Sequence, residues 1–288
     1  MSYDEKIPYI SILGPTASGK SSFALRLAKE LNGEIISCDS VQLYKGFDIG
    51  SAKATKEEQR EVKHHMIDLL GPGEEYDAAQ YAKEAREVIN DILARKKTPI
   101  VVGGTGLYYR FLVGDKIHAL PSDEAIKKEL EKLSDGDLYK KLLELDPKRA
   151  EKLHKNDRYR LVRALEIILS SEEEFSEQIK TEGLSPFIPK RCILLNPPRK
   201  ILHERIEFRT RSMLKTGLIE EVKFLRSQFK ITSKAMQTIG YKQVNQFLDG
   251  EIRDEEELFL RILYATRQYA KRQTTFFKKM IADEVLSD

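Results

Sequence analysis

Two kinds of hydrophobic spacing divide this chain. Up to about residue 118, short apolar runs alternate with stretches of helical periodicity. Tyr9-Ile10-Ser11-Ile12-Leu13 is a strand-like run that stops at Gly14, and Lys20 to Leu31 reads as a helix. Glu34 to Cys38 is a second apolar strand, ended by Asp39. Tyr81, Ala85, Val88, Ile92 and Leu93 mark one face of a helix over 78–95, and Pro99-Ile100-Val101-Val102 is a third strand closed by Gly103-Gly104. Strands that are apolar on both faces and alternate with helices predict a buried parallel sheet, hence an α/β core.

Beyond residue 118 the pattern changes. Residues 123–180 carry helical periodicity (Ile126, Leu130, Leu133; Leu161, Leu165, Ile168) without a strand. The polar stretch Ser170–Ser176 and the prolines Pro186 and Pro189 close this region, and Cys192-Ile193-Leu194-Leu195 reads as a returning sheet strand. The expected organisation is a core over 1–118 and 189–288, with a helical insertion over 119–188. From Pro198 onward the chain reads as helical.

Composition adds limits. The chain has 288 residues, 41% hydrophobic and 33% charged, ordinary for a globular protein with a sizeable core. No apolar run approaches the roughly 20 residues that span a bilayer. Met1 to Lys6 is polar and leads straight into a strand, so no signal peptide and a cytoplasmic location are expected. Cys38 and Cys192 sit in apolar runs and read as buried thiols. The net charge of +3 names no partner, but its distribution is informative. Asp254 to Glu257 is an acidic run, whereas Arg261, Arg267, Lys271, Arg272, Lys278 and Lys279 follow with no acid among them, a basic helical face suited to a polyanion.

Gly14-Pro15-Thr16-Ala17-Ser18-Gly19-Lys20-Ser21 fits the P-loop pattern in full and lies between a predicted strand and a predicted helix. Such a loop points backbone N–H groups into one concavity and adds the partial positive charge of a helix N-terminus. Lys20 supplies a cation, and the Ser21 hydroxyl is the candidate ligand for magnesium. The pattern specifies polyphosphate without saying which. The third strand ends in Gly103-Gly104-Thr105-Gly106 with no acid, unlike many P-loop kinases. Asp39 is the acid at a strand end, and its chemistry alone admits metal association, a base on a second substrate, or a turn cap.

Further blocks then fall in order: Asp39-Ser40-Val41-Gln42-Leu43-Tyr44, Asp48 to Lys53, Gly103 to Tyr108, Arg160 to Glu166, Ile239-Gly240-Tyr241-Lys242 and Thr266 to Phe277. Together with the P-loop they resemble the tRNA dimethylallyltransferases (tRNA isopentenyltransferases) over nearly the whole chain. The resemblance implies that the exocyclic amine of an adenine beside the 3′ side of the anticodon attacks dimethylallyl diphosphate and releases pyrophosphate. It assigns the base to Asp39, a hydrogen bond near the reacting centre to Thr16, and diphosphate binding to Arg209, four residues after Arg205 on one helix face. It gives Ser40, Val41, Gln42 and Thr105 to the target nucleotide and its neighbours. The runs Tyr159-Arg160-Leu161-Val162-Arg163 and Gln237-Thr238-Ile239-Gly240-Tyr241-Lys242 would grip the anticodon stem-loop. Mg2+ is the expected cofactor and a monomer the expected state.

A stacked base cannot reach a P-loop, so the nucleotide must flip into a channel. His64-His65 invites a metal reading, but neighbouring side chains point apart and no third ligand stands at suitable spacing. Hydrogen bonding beside the substrate channel is the expected role. Three positions depart from the family pattern: Phe276 stands where tryptophan is usual, Ala54 where proline is usual, and Ser170–Ser176 is more acidic than the usual turn. The competing expectation is a P-loop kinase that uses ATP on a small molecule or nucleotide, which leaves the basic C-terminal helix unexplained.

Overall fold

The structure is a computed structural model that describes residues 6–114, 123–171, 187–280 and 282–287. The chain divides into two compact units, residues 1–113 with 187–288, and residues 114–186.

The first unit begins β1 (Ile7–Leu13), α1 (Lys20–Glu30), β2 (Gly33–Cys38), α2 (Lys56–Glu61) and β3 (His64–His65). It continues with α3 (Ala78–Ala94), β4 (Thr98–Gly103) and α4 (Gly106–Leu112). The strands form a six-stranded sheet in the order β3-β2-β4-β1-β5-β6, where β5 is Pro189–Leu195 and β6 is Glu284–Leu286. Every pairing is parallel, with Ile12 opposite Val102 and Ile193, and Ile36 opposite Val101. The central strands are apolar on both faces because both are covered: Ile12, Ile36, Ile100 and Val101 are fully buried. The expected α/β fold is therefore present, P-loop-like in its order of strand, phosphate loop and helix. The two edge strands were not legible. β3 is a two-residue pair, and β6 lies in the tail that reads as helical, where register with Ile193–Leu195 rather than an apolar run makes it a strand.

Helix boundaries follow local chemistry. Asp77 caps α3 through the amides of Ala79 and Gln80, and Gln80 returns a bond to the Asp77 amide, a full capping box. Past β5 the unit adds α9 (Arg199–Lys215), α10 (Leu218–Arg226), α11 (Tyr241–Leu248) and α12 (Glu255–Phe277). Asp254 caps α12 and the acidic run lies in its first turn, where the helix dipole favours it.

The second unit has α5 (Glu124–Glu131), α6 (Asp135–Leu145), α7 (Pro147–Ala150) and α8 (Arg158–Ser171). Leu130, Leu138, Leu142, Leu161 and Leu165 form its own core. Residues 115–122 and 172–186 lie outside the described residues, and with them most of the acidic stretch after Ser170. No helix among the described residues is long and apolar enough to cross a membrane.

Candidate active site

The order of strands brings three loops together at their carboxyl ends: the P-loop after β1, Asp39 after β2, and Gly103-Gly104 after β4. They line one cleft of about 430 Å³, completed by Arg205 and Arg209 from α9 and by Tyr269 and Gln273 from α12. A crevice beyond the strand ends is where α/β sheets bind ligands.

The P-loop is built to turn sharply. A side chain at Gly14 would put its Cβ 2.3 Å from the Leu195 carbonyl oxygen, so only glycine lets the loop pass β5. Ala17 holds a left-handed φ of 63°, a conformation that persists where its surroundings over-determine it. The loop's amides are not equivalent. The Ser18 N–H donates to the Pro15 carbonyl at 3.2 Å, and the Thr16 N–H to Gln273 Oε1 at 2.8 Å. Both are spent inside the protein, and proline has no N–H. The amides of Ala17, Gly19, Lys20 and Ser21 have no protein partner among the described residues. Ser18, expected in the diphosphate set, is buried and serves the loop instead.

Lys20 Nζ donates to the Pro15 carbonyl at 2.6 Å. Burial, and then Arg209, pull its pKa down to about 7, with Asp39 opposing. Arg209 donates to Thr16 Oγ1 at 2.6 Å, and its own pKa is lowered by burial. Arg205, one turn earlier, reaches the Ser18 carbonyl at 3.3 Å. The shared face expected of these two arginines is therefore the one that holds the P-loop. Ser21 is exposed in the first turn of α1, its hydroxyl unpartnered among the described residues.

Asp39 lies across the cleft. Its Oδ1 accepts the N–H groups of Val41 at 2.8 Å and Gln42 at 3.3 Å, whereas Oδ2 has no protein partner among the described residues. One oxygen thus caps a turn, and the same bonds hold the other for chemistry. Thr105 Oγ1 accepts the Ser40 N–H at 3.2 Å, tying the β4 loop to this turn. The Gln42 side chain is committed internally, accepting from Ser37 Oγ at 2.8 Å and donating to the Ser51 and Ala52 carbonyls.

The two histidines diverge as expected of neighbours on a strand. His65 Nε2 meets Glu34 at 2.7 Å, while His64 bonds the Val62 carbonyl and borders the cleft. Among the described residues no three His, Cys, Asp or Glu side chains cluster as metal ligands.

The remaining expected contacts lie elsewhere. Tyr159 and Arg160 are exposed at the start of α8, with Tyr159 81% accessible. Leu161 and Val162 are buried in the core of the second unit, and Arg163 pairs with Glu166, so the first two support the helix rather than present side chains. Around Gly240, Gln237 and Lys242 are exposed, Thr238 and Ile239 are partly covered, and Tyr241 is fully buried. Its side chain cannot grip RNA from there. Gln273 and Tyr269 are cleft residues to which the sequence reading gave no role beside the P-loop, and Arg205 is one it noted only as sharing a helix face with Arg209. Spacing held a signal for two of them, since Tyr269 and Gln273 stand four apart on one helix face.

The chain is similar to known proteins along most of its length. The family model described as IPP transferase matches residues 42–280. A tRNA dimethylallyltransferase of Thermoanaerobacter sp. is 44% identical over 283 residues, covering 94% of this chain and 89% of that protein. One of Exiguobacterium sp. is 41% identical over 279 residues, covering 95% and 88%. The crystal structure of a tRNA isopentenylpyrophosphate transferase from Bacillus halodurans aligns with TM-score 0.69 at 36% identity, over 98% of this chain and 90% of that one. A eukaryotic dimethylallyltransferase captured acting on tRNA aligns with TM-score 0.81 at 30% identity, over 96% and 71%. With a family model matched over residues 42–280 and relatives of this closeness along its length, the chain belongs to the IPP transferase family.

Proposed function

We propose that this protein transfers a dimethylallyl group from dimethylallyl diphosphate to the exocyclic amine of the tRNA adenosine 3′-adjacent to the anticodon. The observation that supports the reading is that Asp39, with one oxygen left unpartnered among the described residues, lines the same cleft as Lys20, Thr16 and Arg209. A kinase needs an acid to hold metal beside the phosphates, whereas a prenyl transfer needs a base facing the nucleophile.

In this reading the amine lone pair forms a bond to the allylic carbon as the carbon–oxygen bond breaks. The bonding pair leaves on diphosphate, and the amine proton passes to Asp39 Oδ2 and then to water. An adenine amine is a weak nucleophile because its lone pair is delocalised, so a carboxylate that takes the proton contributes about 10²–10⁴ in rate. Lys20, Arg209 and the amides of Ala17, Gly19, Lys20 and Ser21 stabilise charge developing on the leaving group. Thr16 is fixed at both ends, by Gln273 and Arg209, which places its hydroxyl at the reacting end.

Magnesium fits this site: the exposed Ser21 hydroxyl is a hard oxygen donor in the first turn of α1, beside the P-loop, and Mg2+ is held by few protein oxygens together with waters and substrate phosphates. Ser21 would hold it with diphosphate, and when bound it supplies Lewis-acid stabilisation of the departing charge. The anticodon stem-loop would be gripped by exposed Tyr159, Arg160, Gln237 and Lys242.

The test is transfer of labelled dimethylallyl diphosphate to unmodified anticodon stem-loop RNA with magnesium, beside ATP hydrolysis. Label in RNA, lost in Asp39→Ala, supports the reading. Phosphate release from ATP without label in RNA would replace it with the kinase.

A further inference from the structure

Glu221, on α10, lies outside the cleft, yet it organises the loop that forms one wall of it. Its Oε2 accepts the backbone N–H groups of Asp48 at 3.2 Å and Ile49 at 2.7 Å, and its Oε1 accepts that of Gly50 at 3.1 Å. The fourth donor is the Tyr241 hydroxyl, 2.8 Å from Oε1. A carboxylate offers about four lone-pair sites, and all are taken. Three successive amides converging on one anion form a nest of the kind that elsewhere binds phosphate, filled here by a side chain of the protein itself.

The geometry admits few alternatives. The Tyr241 ring is fully buried and packs against Phe47 at a tilt of 48°, with centroids 4.7 Å apart. A Cβ at Gly50 would stand 2.5 Å from that ring, so glycine is required where the loop crosses it. The loop's other end is fixed by the buried Lys53, which donates to the Tyr44 carbonyl, Asp48 and Asp68.

From this clamp a continuous set of bonds runs to the acid. The Ser51 and Ala52 carbonyls, directly after Gly50, accept from Gln42 Nε2 at 3.3 and 3.4 Å. The Gln42 and Val41 amides in turn hold Asp39 Oδ1. We infer that Glu221 is a positioning residue for the cleft: with Tyr241 it sets the 48–52 loop, and through Gln42 the aim of Asp39. Resting on the proposed reaction, this gives buried Tyr241 a function that its place in the Gln237–Lys242 run left unexplained. It joins a segment with exposed Gln237 and Lys242 to the base.

The experiment has two arms. The first is backbone amide exchange on Glu221→Gln and Tyr241→Phe, which needs no assumption about the reaction. Exchange should rise at residues 48–50 and, if the clamp acts on the acid, at Val41 and Gln42 as well. A rise confined to 48–50 overturns the inference. The second arm is single-turnover prenyl transfer to stem-loop RNA at saturating substrates, with the dissociation constant for dimethylallyl diphosphate measured separately. A misplacement of an ångström at a reacting group costs up to about 10²-fold, so Glu221→Gln should slow the step by about that much and Tyr241→Phe by about tenfold. Diphosphate affinity should stay within about twofold, because the P-loop is not part of the network. An unchanged rate in a folded variant, or a loss accounted for by weaker diphosphate binding, overturns the inference. Absence of transfer by the wild-type protein would instead sink the proposed reaction and leave the exchange result to decide the clamp.

Discussion

Strand β2 carries a carboxylate near each end, and the two are used in opposite ways. Glu34, at its start, is buried and saturated. Arg95 meets both of its oxygens, at 2.5 and 2.7 Å, Lys97 donates to Oε1 at 2.9 Å and His65 approaches Oε2. These bonds, Arg95 foremost, hold its pKa far below the usual glutamate range against the opposing effect of burial. Asp39, just past the other end, keeps one oxygen without a protein partner among the described residues and shares its cleft with Lys20 and Arg209 without pairing with either. A saturated carboxylate strengthens a structure and can do no chemistry; a half-saturated one is oriented by its bonds and retains a lone pair to use.

The largest effect should come from removing the half-saturated group. Asp39→Asn keeps the turn-capping oxygen but not the base, and should lower single-turnover transfer by about 10²–10⁴-fold. RNA and diphosphate binding should remain near wild type, with little change in melting temperature. If Glu34→Gln lowered transfer as much at a temperature where it is folded, the contrast between the two ends would fail.

Next comes the cation opposite. Lys20→Met should cost about 10²–10³ in rate, the usual loss when one preorganised donor to a leaving oxyanion is removed. The pKa of about 7 gives this a pH signature. Bound diphosphate favours the ammonium, so below about pH 7 the charge is already present, and above it binding must take up a proton. Affinity for dimethylallyl diphosphate should therefore weaken as pH rises past about 7, by up to tenfold per unit. Titration calorimetry at several pH values should show the trend in the wild-type protein and not in Lys20→Met.

Glu34→Gln tests the other end by stability. It removes an anion from three cationic or polar partners, of which Arg95 and Lys97 are exposed enough to rehydrate, so the cost should be about 1–3 kcal/mol in denaturant unfolding. Because the folded pKa is depressed, the contribution is fully present above the unfolded value of about 4.3 and fades as pH falls through and below it. Wild type and variant should thus converge in stability on acidification and differ most near neutrality.

How far the chain announced this arrangement depends on distance along it. The P-loop, Asp39 and the four inner strands were legible because each is a local pattern: a glycine-rich turn between a strand and a helix, or a short apolar run. Asp39 read as either base or turn cap because the two roles use different oxygens of one side chain, which sequence does not separate. Glu221 was invisible: its three backbone donors lie more than 170 residues away, and on α10 it reads as another first-turn acid. Gln273 was hidden likewise, although its partners are Thr16 and the Gly104 carbonyl. Tyr241 was legible as part of a block yet not as a buried residue, since a tyrosine at the first position of a helix suits solvent and core equally well.

The smallest predicted effect probes the saturated end from its rim. Lys97 donates one bond to Glu34 Oε1, but its side chain is 37% exposed, whereas Arg95 supplies a two-point contact that alone nearly fixes the carboxylate. Exposed partners gain little from pairing because water screens the charge and holding a long side chain costs entropy, so Lys97→Met should cost no more than about 1 kcal/mol. Its methionine stem would still cover the strand. A loss as large as that of Glu34→Gln would mean that the cluster works as one cooperative unit in which every donor is needed, and a double-mutant cycle between the two positions would then show coupling close to the full single-mutant effect. A small, additive loss would place the weight on the bidentate arginine, leaving Glu34 well held by two partners just as Asp39 is held by two amides.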